Sequence, residues 1–355
     1  MLANLLIKPG VLKLKEIKTP EPSDGEILVR IKTALTCGTD LKAFKRGHPM
    51  MPMPTVFGHE FSGVVEKAGR GVKKFTRGTE IMAVHSAPCE ECCFCKKGLY
   101  NLCKYIMKTK VLGAFAEYIL LPKHIVKQNV FIKPRNLSYA EAAFLEPLSC
   151  VIHSINSVYP VGKKTPSGFS NGGHLTKGDT AVIIGAGPIG LLHLMILKTM
   201  GIKIIIIEKQ KERLKKALEL KADIAINPGK KNVIKKIMAY TDNCGADAVF
   251  ECTGIPEVWE SSVWLVRRGG TIVLFGGCKQ GTQVKYDTAR IHYDEVTLKG
   301  VFHFKPSDVA QAYDFLSRKK IKVRKLISGQ YPLNKLDMAF KKLAAGKGIK
   351  YAIIP

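Results

Sequence analysis

Val182-Ile183-Ile184-Gly185-Ala186-Gly187-Pro188-Ile189-Gly190 decides how this chain is read. Three β-branched residues make a buried strand, and an apolar helix begins directly after the glycines. Gly185 permits a tight turn. Gly187 lets backbone approach a pyrophosphate, which the helix N-terminus stabilises, and Gly190 lets helix and strand pack closely. Pro188 and Ile189 complete the loop between them. Glu208 closes the next strand, 18 residues after Gly190. A carboxylate there accepts hydrogen bonds from an adenosine ribose and repels a 2′-phosphate. Glu208 therefore favours NAD over NADP, while the nearby Lys209 and Arg213 keep NADP open. The alternative is a βαβ turn that binds no nucleotide.

Outward from this loop, strands and helices alternate. Strands are predicted at Thr180–Ile184, Lys203–Glu208, Ile224–Asn227, Ala246–Glu251 and Thr271–Phe275, with helices such as Ile189–Met200 and Lys211–Leu220 between them. This is the rhythm of a doubly wound parallel sheet. The first third differs: Gly25–Lys32 and Phe61–Lys67 alternate apolar and polar residues, as strands of a β-rich barrel do. A helical stretch follows over Tyr139–Val151, then a loop over Tyr159–Asp179 rich in Gly, Pro, Ser and Lys. The chain is an α/β protein.

At 355 residues the chain has room for about two domains of ~150 residues each. Hydrophobic residues at 46% and charged residues at 24% exclude wholesale disorder. No apolar run approaches the ~20 residues of a membrane helix, and Leu2–Ile7 is too short for a signal peptide. A cytoplasmic protein is expected. Lysine and arginine number 56 against 29 acidic residues, a formal charge of +27. Lysine supplies 45 of those cations, spread along the chain. The basic stretches Lys96–Lys110 and Arg318–Lys325 lack an aromatic base-stacking platform, so no nucleic-acid partner is expected. Two readings of the charge stay open: a solvated lysine-rich surface, or an anionic partner or substrate.

Of ten cysteines, Cys89, Cys92, Cys95 and Cys103 lie within 15 residues. Four thiolates complete a closed tetrahedral zinc shell, which folds a loop rather than catalyses. Cys93 leaves the second ligand ambiguous, and an iron–sulfur cluster or unliganded thiols are alternatives. A second constellation, Cys37-Gly38-Thr39-Asp40 with Gly58-His59-Glu60, mixes soft and hard ligands suited to zinc with an exchangeable position. A buried core cysteine and a hydrogen-bonded histidine would look the same.

Together these motifs resemble the zinc-dependent medium-chain dehydrogenase/reductase superfamily, within it the sorbitol (polyol) and threonine dehydrogenase branch. The resemblance covers nearly the whole chain. Besides the motifs above it includes Gly113-Ala114-Phe115-Ala116-Glu117-Tyr118, Phe250-Glu251-Cys252-Thr253-Gly254, and Glu146-Pro147-Leu148-Ser149, where liver-type alcohol dehydrogenases carry a zinc-binding cysteine. It implies a GroES-like catalytic domain over 1–149 with a structural-zinc lobe at 86–110, a Rossmann coenzyme domain over 150–290, and a C-terminal segment, 291–355, completing the catalytic domain. It also implies two zinc ions per subunit, NAD, an alcohol or polyol substrate, and a homodimer or homotetramer.

Site residues follow from the resemblance by position. Cys37, His59, Glu60 and Glu146 would hold the catalytic zinc, one glutamate through water or by exchange, and Cys89, Cys92, Cys95 and Cys103 the structural zinc. Thr39 would hydrogen-bond the substrate oxygen. Gly185, Gly187, Pro188, Ile189, Gly190, Glu208 and Arg213 would bind the cofactor, and Lys350 its pyrophosphate. Lys42 stands where related enzymes often carry a relay histidine; it could bind the nicotinamide ribose, relay a proton, or be solvated. The 160–177 loop is longer than usual and has no assigned role, and the short Cys103–Gly113 segment would leave the substrate cleft more open. Phe302 and His303 line that cleft or are structural. The expected reaction oxidises a secondary hydroxyl by hydride transfer to nicotinamide. Lys42, Lys45, Arg46 and His48 raise the alternative of a polyol phosphate. A non-catalytic nucleotide- or nucleic-acid-binding protein on this fold is the other class.

Overall fold

The computed structural model describes residues 1–48, 51–158, 163–164, 170–171, 175–229 and 232–355. They form two units, one of Met1–Ser149 with His303–Pro355, the other of Cys150–Phe302.

The second unit is a six-stranded parallel sheet. Its order is Ile224–Ile226, Lys203–Ile207, Thr180–Ile184, Ala246–Glu251, Val266–Leu274, Thr297–Gly300. The isoleucine and valine runs form strands because both faces are covered by helices, so polar alternation has no place in them. Val182, Ile205, Val249 and Ile272 are buried in one apolar cluster. The chain starts in the middle, winds one way to Ile226, then crosses to Ala246 and winds the other way. That reversal is the crevice where such sheets take ligands, and the glycine loop sits at it.

Two expectations shift here. Thr297–Gly300 pairs with Val266–Leu274, so residues 291–302 belong to the parallel sheet and the return to the first unit comes at His303. The sixth strand is short and polar, without the apolar run that flagged the others. Within the expected 159–179 loop, Lys163–Lys164 pairs antiparallel with Ser170–Asn171, and residues 159–162, 165–169 and 172–174 lie outside the described residues.

The first unit carries a β-sheet ordered Ile327–Pro332, Lys350–Ile354, Ile27–Leu35, Phe61–Ala68, Glu80–Ala83, Val130–Ile132, with Tyr118–Leu121 also paired to Ile27–Leu35. A second sheet orders Val11–Glu16, Leu2–Lys8, Thr55–Val56. The C-terminal strand lies antiparallel on Ile27–Leu35, with Ala352 opposite Leu35. Its helix Leu336–Ala344 sends Phe340 into the core, where the ring stacks 5.8 Å from Phe57 and meets Phe115 edge-on at 5.8 Å. Gly58 adopts φ +90°, and a Cβ there would stand 2.7 Å from the Phe115 ring. Only glycine lets the chain turn past that ring into His59. The helical stretch expected from Tyr139 is two helices, Tyr139–Ala142, capped reciprocally by Ser138 and Glu141, and Leu145–Val158. Among the described residues no helix is long and apolar enough to cross a membrane.

Phe340 joins sequence-distant halves of one core, so Phe340→Ala is expected to destabilise the first unit by ~3–5 kcal/mol. Urea unfolding followed by near-UV circular dichroism checks this; a loss below ~1 kcal/mol would mean the C-terminal segment is only loosely attached.

Candidate active site

Strand register brings the second constellation together. Ala34 pairs with Phe61, so the chain leaving Ile27–Leu35 reaches Cys37 beside the residues that lead into Phe61–Ala68. Cys37, His59 and Glu60 each offer a ligand atom, all within 4.8 Å of one another. Glu60 is completely buried. Its Oε2 takes an ion pair from Lys350, while Oε1 has no hydrogen-bond partner among the described residues. Asp40 Oδ1 stands 3.2 Å from His59 Nδ1. Burial works against a charge on His59, but Asp40 and Cys37 outweigh it and hold the ring's pKa well above the ordinary value. For Glu60, burial raises the carboxyl even though Lys350 and His59 pull it down. A sulfur, a nitrogen and an oxygen converge here, with an unpartnered buried oxygen among them. That donor set fits a divalent zinc with a position left for a fourth ligand.

Glu146 lies beside this trio rather than in it. It opens the helix Leu145–Val158, and its Oε1 is 3.5 Å from His85 Nδ1. Burial pushes its carboxyl up to about 7, and the neighbouring Glu60 adds to that while His59 opposes it. The expected four ligands thus converge as three, with a second glutamate adjacent. Thr39 is half-buried in the first turn of the helix Gly38–Arg46, and Lys42 is exposed one turn later.

Lys350 has a partner the sequence did not show. The resemblance placed it on a pyrophosphate, but only 1% of it is exposed. Its ammonium is held by Glu60 and donates to the Thr36 carbonyl at 2.9 Å. Burial disfavours that charge, and Glu60 with Cys37 more than offset the effect. Sequence reasoning also missed His85, whose ring lies 5.1 Å from His59 and 5.3 Å from His303. Burial, then His59, His303 and Lys110, hold it well below the usual imidazole range. His303 Nε2 in turn lies 2.6 Å from Ser86 Oγ. No motif surrounds His85, so nothing local could have flagged it.

The four-cysteine lobe is assembled as expected from its spacing. Cys92 and Cys95 sulfurs are 3.6 Å apart, and Cys89–Cys95 and Cys92–Cys103 are each 3.9 Å apart. A tetrahedron with Zn–S of ~2.3 Å has edges of ~3.8 Å. Backbone amides of Cys89, Cys92 and Tyr105 point at the sulfurs, which stabilises thiolate. Cys93 is exposed and outside the group, which removes the ambiguity over the second position.

In the second unit the glycine loop is shaped for a ligand. Gly185 has φ +100°, and a Cβ on Gly190 would stand 1.9 Å from the Gly185 carbonyl. The space beside Gly187 is bounded only by Arg213 Nη1 at 3.9 Å. Gly187 opens the helix Pro188–Thr199 with no side chain capping its amides. Glu208 accepts from the amides of Ala186 and Gln210, both at 2.9 Å, so the carboxylate is fixed against the loop. Arg213 Nε is buried without a hydrogen-bond partner among the described residues. These features fit a dinucleotide. Glu251 was not foreseen as a working residue. This buried carboxylate accepts from Thr253 and Gly254 amides at 2.7 and 3.2 Å and from Trp259 Nε1 at 3.0 Å. Trp259 Nε1 also reaches the Gly276 carbonyl, so two loops at the carboxyl ends of neighbouring strands share one brace.

Comparison with known proteins agrees with this geometry. The alcohol dehydrogenase GroES-like domain family matches residues 23–130, and the zinc-binding dehydrogenase family matches 188–318. The sorbitol dehydrogenase of Halalkalibacterium halodurans is 30% identical over 343 residues, 95% of this chain and 94% of that protein. The D-arabitol-phosphate dehydrogenase of Enterococcus avium is 31% identical over 343 residues, 95% of this chain and 92% of that one. A Sinorhizobium meliloti 1021 protein described as a zinc-binding dehydrogenase and bound to NADP superposes with a TM-score of 0.87 at 28% identity. The match covers 100% of this chain and 99% of that one.

The cysteine lobe yields a test that leaves the other cluster untouched. Cys95→Ser is expected to remove one zinc per chain and lower the unfolding temperature by at least ~5 °C, because metal binding is coupled to folding of the lobe. Zinc analysis with calorimetry reads both; unchanged zinc and stability would contradict the assignment.

Proposed function

The chain belongs to the zinc-dependent medium-chain dehydrogenase/reductase superfamily, on its sorbitol dehydrogenase-like branch, and on that footing we propose that it oxidises a secondary hydroxyl of a polyol. A bound nicotinamide would supply the acceptor for a hydride, the hydrogen together with both electrons of the C–H bond. The hydroxyl proton leaves to a base, so an alcohol and NAD(P)⁺ give a ketone, NAD(P)H and H⁺. The observation that carries this reading is the sulfur, nitrogen and oxygen of Cys37, His59 and Glu60 within 4.8 Å, in a chain that also has a dinucleotide loop.

When bound, zinc supplies a Lewis acid to the alcohol oxygen and the nicotinamide supplies the hydride acceptor. The rest falls to side chains. Cys37, His59 and Glu60 hold the metal, and Asp40 stands behind the His59 ring, 3.2 Å from its Nδ1. Lys350 neutralises one oxygen of Glu60, which limits the negative charge of the ligand set. Glu146, with its carboxyl near neutrality, can exchange with Glu60 or take a proton. The Thr39 hydroxyl accepts the substrate proton and passes it outward through water or Lys42.

On the cofactor, Glu208 supports NAD. Its carboxylate is pinned at the loop by two amides, so it cannot swing away from a 2′-phosphate without losing both. Lys209 and Arg213 are the residues an NADP reading would use, and the NADP-bound relative makes that the direct competitor. We infer a homodimer or homotetramer, as the resemblance implies; sedimentation velocity tests it.

Cys37→Ser should lower kcat/KM for the best polyol by ~1,000-fold or more while leaving the unfolding temperature within ~3 °C. A panel of polyols, threonine and 2,3-diols read by NADH absorbance checks it, and full turnover by the variant would refute the metal assignment. Glu208→Ala should shift the NAD/NADP preference toward NADP by about tenfold, or 1.4 kcal/mol. Equal efficiency of the unmutated enzyme with both cofactors would contradict the role of Glu208.

A further inference from the structure

Glu251 is a completely buried carboxylate at the end of the strand Ala246–Glu251. The Thr253 amide and hydroxyl donate to its Oε1, and the Gly254 amide reaches both oxygens at 3.2 Å. That much is a loop folded onto its own strand end. The Trp259 indole makes a second connection. Its one N–H is shared between Glu251 Oε2 and the Gly276 carbonyl, both at 3.0 Å. Gly276 lies just beyond the neighbouring strand, Val266–Leu274, and its amide donates to the Glu251 carbonyl at 2.9 Å. The two loops touch. A Cβ on Gly276 would stand 2.2 Å from the Gly254 nitrogen, and one on Gly254 would stand 2.5 Å from the Gly277 carbonyl oxygen. The pair also abuts the glycine loop, since a Cβ on Gly185 would stand 3.0 Å from the Thr253 methyl.

Sheet order indicates which part of a dinucleotide these loops meet. Lys203–Ile207 and Ile224–Ile226 lie on one side of Thr180–Ile184, and Glu208, the proposed adenosine-ribose acceptor, follows the first of them. Ala246–Glu251 and Val266–Leu274 lie on the other side. In a doubly wound sheet each side takes one mononucleotide at the carboxyl ends of its strands, so the second side takes the nicotinamide half.

We propose that Glu251 and Trp259 are positioning residues for the nicotinamide half of the cofactor, acting through the Thr253–Gly254 and Gly276–Gly277 backbones that carry it. The proposal rests on the dinucleotide reading of the glycine loop and deepens it. Hydrogen bonds to a carboxylate are about twice as strong as neutral ones, which suits a brace between two loops. Position matters at this place, because a displacement of ~1 Å near a reacting centre can cost ~100-fold in rate. A single indole N–H, bound to one strand end and to the next loop, fixes the spacing of the two backbones.

Titration calorimetry on the zinc-loaded full chain tests this with NADH and NADPH, each against its nicotinamide-free counterpart, ADP-ribose and 2′-phospho-ADP-ribose. Trp259→Phe keeps an aromatic ring and removes the shared N–H. It is expected to weaken binding of the preferred reduced cofactor by ~10-fold and to change that of the nicotinamide-free counterpart by less than ~2-fold. In turnover of the best polyol, kcat should fall by ~10- to 100-fold while the KM for the polyol stays within ~2-fold. Glu251→Gln, in which one amide N–H must face a donor whichever way the group turns, should show the same selective loss. Equal weakening of cofactor and counterpart would mean that the brace only holds the sheet together, and would overturn the proposal; so would no weakening of either. The binding comparison decides this even if no polyol is oxidised. No saturable binding of any of the four nucleotides to the unmutated protein would overturn the dinucleotide reading and the proposal with it.

Discussion

A carboxylate removed from water needs a cation, and Glu60 receives its cation from the last strand of the chain. Neither Glu60 nor Lys350 is solvated, and breaking such a pair by removing one partner costs ~3–5 kcal/mol. The pair joins the C-terminal strand Lys350–Ile354 to the turn that carries His59, and Lys350 reaches on to the Thr36 carbonyl next to Cys37. One ammonium thus touches both stretches that carry Cys37, His59 and Glu60. It also offsets the charge of Glu60, whose carboxyl burial pushes upward while Lys350 pulls it down.

The two units are built on different physics. In the parallel sheet the chemistry is steric and backbone-based: a glycine where any Cβ would overlap a carbonyl, open amides at a helix start, and carboxylates that accept from loop amides. Glu251 and Glu208 act alike, each tying down a loop at the carboxyl end of a strand. In the first unit the chemistry is electrostatic, with three buried acids, a buried lysine and two buried imidazoles within one neighbourhood. The cysteine lobe gathers its four sulfurs at the edge length of a zinc tetrahedron, and the segment leaving it returns past His85 and Gly58.

Legibility in the sequence followed the range of each interaction. The glycine loop and the four cysteines are local patterns whose physics is complete within a short window, and both are assembled as their spacing implied. Cys37 and His59 are 22 residues apart and meet only through the register of Ala34 on Phe61, so spacing alone left them ambiguous and the family resemblance was needed. The pairing of Lys350 with Glu60 was not legible because it depends on Ala352 lying opposite Leu35, a register no local pattern encodes. His85 was invisible for the same reason: its neighbours come from other parts of the chain. The sixth strand of the parallel sheet lacked the apolar run that marked the rest, and the boundary placed at 291 fell short of it.

The central claim is that Cys37, His59 and Glu60 hold a divalent metal. Anomalous diffraction collected on both sides of the zinc absorption edge tests it most directly, because it locates zinc without reference to activity. Two peaks per chain are expected, one inside the four cysteines and one within ~2.0–2.3 Å of the Cys37 sulfur, a His59 nitrogen and a carboxylate oxygen. A zinc-replete crystal with a peak at the four cysteines alone would contradict the account.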